Sequence, residues 1–185
     1  MSKAPAGLTY AEFHRQSVEQ PEVFWAEQAK LIDWFTPPQR MCNWDNPPFA
    51  KWFEGGTTNL CHNAVDRHLQ ARASQPALIA VSTETCTEKV YSFAELHQEV
   101  QRMAASLKAL GVQKGDRVLI YMPMIAEACF AMLACARIGA IHCVVFGGFA
   151  SGSLASRIED AEPKVIVSAD GGSRGGKGIP YKPLL

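Results

Sequence analysis

Arg174 and Lys177 bracket two glycines in the run GGSRGGK, residues 171–177, just after the apolar run KVIVS. A guanidinium and an ammonium on a backbone bare of other side chains are groups that meet phosphate oxygens. Gly171, Gly176 and Lys177 approach the spacing of the nucleotide loop G-x-x-x-x-G-K-[ST]. Gly178, however, stands where that loop needs a hydroxyl for magnesium. Pro180 and Pro183 bar the helix whose N-terminus would face the phosphates. An NTPase loop is therefore rejected. Two readings stay open: Arg174, Gly175, Gly176 and Lys177 as a flexible phosphate-meeting segment, or a solvated, mobile loop.

A second candidate is Phe146-Gly147-Gly148, closing the apolar run that begins at Ile141. Ligands of open α/β sheets bind beyond the carboxyl ends of parallel strands. Glycines there let a flat ring or a phosphate approach the backbone. The same residues equally suit a tight strand-to-helix turn. The first strand's exit, YMPMIAE, has no G-x-G-x-x-G, which speaks against a dinucleotide dehydrogenase.

Other chemistry is thinly supplied. The five histidines lie apart from any nucleophile motif, and no Ser-His-Asp set with an elbow is present. His142, inside an apolar strand, reads as a hydrogen-bonded core histidine. Asp66, Arg67 and His68 read as the polar face of a helix. The six cysteines form no C-x-x-C pair and read as buried free thiols, not as disulfides or a zinc site. No catalytic residue and no metal ligand is assigned.

The elements that must position these groups centre on residues 117–149. Arg117 to Tyr121 is strand-like. Ile125, Cys129, Met132, Leu133 and Ala136 recur at helical spacing, and Gly139 suits a left-handed cap. Ile141 to Phe146 is a second apolar strand. Strand, helix, strand without a hairpin predicts a βαβ unit with parallel strands, covered on both faces. A further helix, Ser151 to Ala161, leads to a third strand, Lys164 to Ser168.

Upstream, Thr9-Tyr10-Ala11-Glu12 and Ser92-Phe93-Ala94-Glu95 are capping boxes that open helices. Pro21 predicts a helix start that runs on to Trp34. Residues 36–56, with four prolines and several aromatics, predict an irregular arm packed by its rings. Asn59 predicts a capped helix towards Ala73. Leu78–Ser82 and Lys89–Tyr91 predict a hairpin. The helix after Ser92 carries Leu96, Val100, Met103, Leu107 and Leu110 as an apolar stripe. The expected fold is α/β: an N-terminal arm over residues 1–75, then an incomplete, mostly parallel sheet flanked by helices over residues 76–185.

Lys plus Arg and Asp plus Glu balance at 18 each, so no global charge draws the chain to nucleic acid or an anionic membrane. No apolar run reaches the roughly 20 residues of a membrane span. The N-terminus lacks a secretory apolar core, so a cytoplasmic location is expected.

The runs NAVDRHL, YSFAELHQEV, GVQKGDRVLIYMPM, MLACARIGAIHCVVFGGFAS, SRIEDAEPKVIVSAD and SRGGKGIPYKPLL together resemble the N-terminal part of short-chain acyl-CoA synthetases. PEVFWAEQAKLIDW and KWFEGGTTNLCHNAVDRH fit the same resemblance, which covers nearly the whole chain. SADGGSRGGKGIPYKPLL is more similar to the propionate than to the acetate enzymes. These are AMP-forming ligases: carboxylate and ATP give an acyl-adenylate and pyrophosphate, coenzyme A takes the acyl group, and AMP leaves. Magnesium accompanies the ATP. The resemblance implies that Phe146, Gly147 and Gly148 flank the coenzyme A adenine. It implies that Arg174 and Lys177, with Gly175 and Gly176 between them, meet nucleotide phosphates. Lys177 stands where acetate enzymes often carry Arg, which keeps the cation and loses bidentate pairing.

The family's TSGTTG-like ATP loop, acyl pocket and adenylation lysine would lie beyond Leu185. The expectation is therefore an N-terminal fragment, inactive alone, that retains part of the coenzyme A site. Marginal stability, aggregation or dependence on a complementing C-terminal polypeptide would follow from an uncovered sheet. The alternative is a non-catalytic nucleotide-binding or assembly module that pairs with a separate C-terminal half.

Overall fold

The structure, a computed structural model, describes residues 7–147 and 151–184; the side chain of Phe146 lies outside that description. The chain divides into two compact units, Met1–Thr58 and Asn59–Leu185.

The first unit holds helices α1 (Tyr10–Glu19) and α2 (Pro21–Ala29) and strands β1 (Arg40–Asn46) and β2 (Phe49–Glu54). The Thr9 capping box forms: the Glu12 amide donates to Thr9 Oγ1 and the Thr9 amide to Glu12 Oε2. Pro21 occupies the first turn of α2 as expected. That helix stops at Ala29, short of Trp34, because the Trp34 indole N–H donates 2.9 Å to the Ala29 carbonyl and satisfies an end the next turn would have used. The aromatic arm is also more regular than expected. β1 and β2 form an antiparallel hairpin closed by the pair Asn46↔Phe49. Pro47 and Pro48 fill the turn between them, where neither costs a ladder hydrogen bond. Trp25 and Trp44 both meet Trp52 edge-on, with centroids 5.6 and 6.3 Å apart.

The second unit opens with α3 (Leu60–Ala64), a 3₁₀ turn at Asp66–His68 and α4 (Leu69–Arg72). One continuous helix to Ala73 was the expectation; the chain breaks at Val65, whose φ is −128° and whose side chain is buried. β3 (Pro76–Ser82) and β4 (Thr87–Ser92) form the predicted antiparallel hairpin. The Ser92 capping box opens α5 (Phe93–Ala109), which buries Leu96, Val100, Ala104 and Leu107.

Next come β5 (Arg117–Met122), α6 (Ala126–Ile138), β6 (Ile141–Phe146), α7 (Ser151–Ala161) and β7 (Val165–Ser168). The strands make one parallel sheet in the order β6-β5-β7. Gly139 ends α6 in the left-handed region at φ 75°. β5 is covered on both faces: Val118 and Ile120 join the cluster built by α5 and α6, while Leu119 and Tyr121 join Val145, Leu154 and Tyr181. β6 is not so covered. Val145 is buried, but Ile141, His142 and Val144 are exposed. His142 is therefore a surface residue on an edge strand and not the core histidine its apolar neighbours suggested.

The glycine-rich tail, read as a loop, is instead a hairpin: β8 (Gly171–Arg174) and β9 (Lys177–Pro180), followed by a 3₁₀ turn at Lys182–Leu184. Gly175 and Gly176 form its two-residue turn at φ 59° and 73°. Only glycine makes both positive angles cheap, which is why a sequence that looks like flexible linker closes a ladder here.

Candidate functional site

The carboxyl ends of β5 and β6 and the hairpin β8–β9 meet around one ring, that of Tyr181. Tyr181 is buried and lies against Tyr121, with centroids 5.1 Å apart. A Cβ built on Gly147 would come within 2.7 Å of Tyr181 Cε1, and one on Gly172 within 3.1 Å of Tyr181 Cε2. Pro123, at the end of β5, would meet the Gly172 Cβ at 3.0 Å. Both glycines thus allow a close approach of backbone to ring that any other residue would block. The hairpin base is tied by Asp170, whose carbonyl accepts the Tyr181 amide at 3.1 Å and whose Oδ1 accepts the Gly171 amide at 2.8 Å. Ser168 Oγ donates 2.8 Å to the Tyr121 carbonyl and anchors the end of β7 to β5.

From Gly172 the strand carries Arg174 about 7 Å further out, at the rise of a β-strand. Arg174 and Lys177 are direct partners across the ladder, so both leave the same face of the hairpin. Burial raises the Tyr181 phenol above its usual range, with Tyr121 adding to this and the Arg174 charge opposing it. The cationic tip is thus within electrostatic reach of the ring that seats Gly147.

Of the seven residues singled out from sequence, Arg174, Gly175, Gly176 and Lys177 form one turn. Gly147 shares the Tyr181 contact with the base of that hairpin. The Phe146 side chain and Gly148 lie outside the described residues. Tyr181 was not singled out by sequence reasoning; its signal was a lone aromatic between Pro180 and Lys182.

Glu84 was missed as well. It lies in the turn between β3 and β4, and its carboxylate accepts the amides of Gly175 and Gly176, each at 2.8 Å, and the Ser173 hydroxyl at 3.1 Å. The Gly176 amide, then the Gly175 amide and the hydroxyl, hold the Glu84 carboxyl below its ordinary value. No sequence signal links residues so far apart.

Away from this end, Asp66 is more than a polar face. It pairs through both oxygens with the Arg137 guanidinium and lies 3.5 Å from His97 Nε2. The six cysteines are free; burial pushes the Cys61 and Cys135 thiols up to about 11, and Cys86 is exposed. Among the described residues, no three His, Cys, Asp or Glu side chains converge as metal ligands, and no helix is long and apolar enough to cross a membrane.

The chain is similar to known proteins over most of its length. Residues 65–178 match the AMP-binding enzyme family, and residues 10–64 match the acetyl-coenzyme A synthetase N-terminus. The chain is 61% identical over 178 residues to a propionate–CoA ligase of Escherichia coli, covering 96% of this chain and 28% of that protein. It is 52% identical over 179 residues to an acetyl-coenzyme A synthetase of Bradyrhizobium diazoefficiens, covering 94% and 27%. The solved structure of an acetoacetyl-CoA synthetase from Streptomyces lividans matches with a TM-score of 0.89 at 36% identity, covering 98% of this chain and 28% of that one. The chain thus spans a little over a quarter of the length of these relatives.

Proposed function

This chain belongs to the AMP-binding enzyme family, and from that premise we propose that it is the N-terminal, coenzyme A-side part of an AMP-forming ligase that makes propionyl-CoA. Acetate is the second candidate acid, since the relatives include ligases named for both. The complete reaction would consume carboxylate, ATP and coenzyme A in the cytoplasm and release acyl-CoA, AMP and pyrophosphate. Coenzyme A supplies the thiol that takes up the acyl group. ATP and magnesium would be held by chain outside these 185 residues. The chain alone would then activate no acid, and activity would need a C-terminal portion, on the same polypeptide or a separate one.

One observation carries this reading. Two cations stand paired across a glycine turn whose amides already hold a carboxylate, at the carboxyl end of a parallel sheet. Backbone amides of this kind suit phosphate oxygens, and Arg174 and Lys177 add charge-assisted donors beside them. Gly147, buried against Tyr181, joins the end of β6 to the base of the same hairpin.

The test is Arg174→Ala in a complete ligase carrying this chain as its N-terminal part. Loss of one charge-assisted contact should raise the coenzyme A KM about tenfold or more. ATP–pyrophosphate exchange, which reports acid activation, should stay near the parent value. Equal loss of both half-reactions would remove the assignment.

A further inference from the structure

The turn between β3 and β4 and the turn between β8 and β9 are joined through a single carboxylate. A two-residue hairpin turn leaves its inner amides without ladder acceptors. In the β8–β9 hairpin those amides belong to Gly175 and Gly176, and the positive φ of both residues turns them into a concave backbone site for an anion. Glu84 fills it: Oε1 takes the Gly175 amide, and Oε2 takes the Gly176 amide and the Ser173 hydroxyl. Glu84 is exposed, so these bonds are held against competing water and are not enforced by burial. Arg174 and Lys177 flank the same turn.

We propose that Ser173, Gly175 and Gly176 form an anion-binding site whose resident anion is Glu84, and that a phosphate group entering beside Arg174 and Lys177 must displace that carboxylate. The proposal rests on the coenzyme A reading for the natural source of the phosphate. Two anions cannot share the same donors, because the amides are each used once and like charges at hydrogen-bond distance repel. Binding of phosphate and attachment of the β3–β4 turn to the β8–β9 turn are therefore mutually exclusive. Glu84 sets a threshold: weak anions are kept out, and a phosphate helped by both cations gets in. Entry releases the β3–β4 turn.

The experiment is a titration of the isotope-labelled chain with inorganic phosphate at neutral pH and constant ionic strength, following the amide resonances of Gly175, Gly176 and Glu84. In the parent all three should move together and saturate. In Glu84→Gln, whose neutral side chain is a weaker acceptor, the glycine amides should saturate at about tenfold lower phosphate. Glu84→Asp, one methylene too short to span the turns, should behave like Glu84→Gln. Equal midpoints in all three proteins, or glycine amides that phosphate leaves unmoved, would overturn the proposal. Failure of the coenzyme A reading shows elsewhere, in the half-reactions of Arg174→Ala. A phosphate response here with no thioester effect there keeps the anion site and removes coenzyme A as its ligand.

Discussion

Tyr181 occupies the space a side chain on Gly147 would need, its Cε1 2.7 Å from the position of that Cβ. The contact joins the end of β6 to the hairpin that carries Arg174 and Lys177. Gly147→Ala should therefore push the ring out of its seat on Tyr121 and destabilise the chain by about 1–3 kcal/mol, as overpacking does. Tyr181→Phe in the same background should recover part of that loss by removing the phenol oxygen. Urea midpoints measure both, and a Gly147→Ala midpoint equal to the parent's would refute the contact.

Asp66 and Arg137 should behave as a coupled pair. Both side chains are about four-fifths covered, and Arg137 Nε is buried with no hydrogen-bond partner among the described residues. Asp66→Asn strips the charge that compensates Arg137 and should cost about 1–3 kcal/mol. Adding Arg137→Met should cost less than the two single changes summed. Additive losses in a double-mutant cycle would show that the pair is not coupled.

Asn59 serves two helices at once. Its Oδ1 caps α3 by accepting the His62 amide at 3.1 Å, and its Nδ2 donates 2.7 Å to the Ala136 carbonyl near the end of α6. Asn59→Ala should lose both, about 2 kcal/mol in all. Asn59→Asp keeps the acceptor but points negative charge at carbonyls already at the negative end of a helix. It should recover little of the loss, and full recovery would mean that the α6 contact carries no weight.

The link through Glu84 should depend on pH in a defined direction. Its carboxyl is held below the ordinary value of 4.5, so the folded state favours the ionised form. The stabilisation is complete above 4.5 and fades as pH falls through the lowered folded value. The Gly175 and Gly176 amide shifts should report a midpoint below 4.5. A midpoint at or above it would contradict the hydrogen bonds.

Thiol chemistry should separate the cysteines. Cys86 is exposed, whereas burial keeps Cys61 and Cys135 protonated at neutral pH. Iodoacetamide at pH 8 should modify Cys86 in the native protein and reach Cys61 and Cys135 only after unfolding. Mass spectrometry of the native digest showing Cys61 or Cys135 alkylated as fast as Cys86 would count against the burial.

Local rules written in the sequence determined a good share of this protein. The Thr9 and Ser92 capping boxes, the β3–β4 hairpin, the left-handed Gly139 and the three parallel strands are short-range or periodic signals, and each element forms where its signal lies. The cations Arg174 and Lys177 on either side of Gly175 and Gly176 were visible as a candidate phosphate-meeting segment, with a solvated loop as the other reading. The form of that segment was not, because glycines that permit a loop also permit a two-residue turn, and the choice falls to the ladder on either side. The tertiary structure alone decided what those elements touch. His142 is exposed because β6 lies at a sheet edge, and Asp66 is paired because α6 brings Arg137 to it. Glu84 meets the Gly175–Gly176 turn because two hairpins far apart in sequence end at one point. No period or motif encodes such meetings; they exist only once burial on both faces of β5 has set the distances between elements.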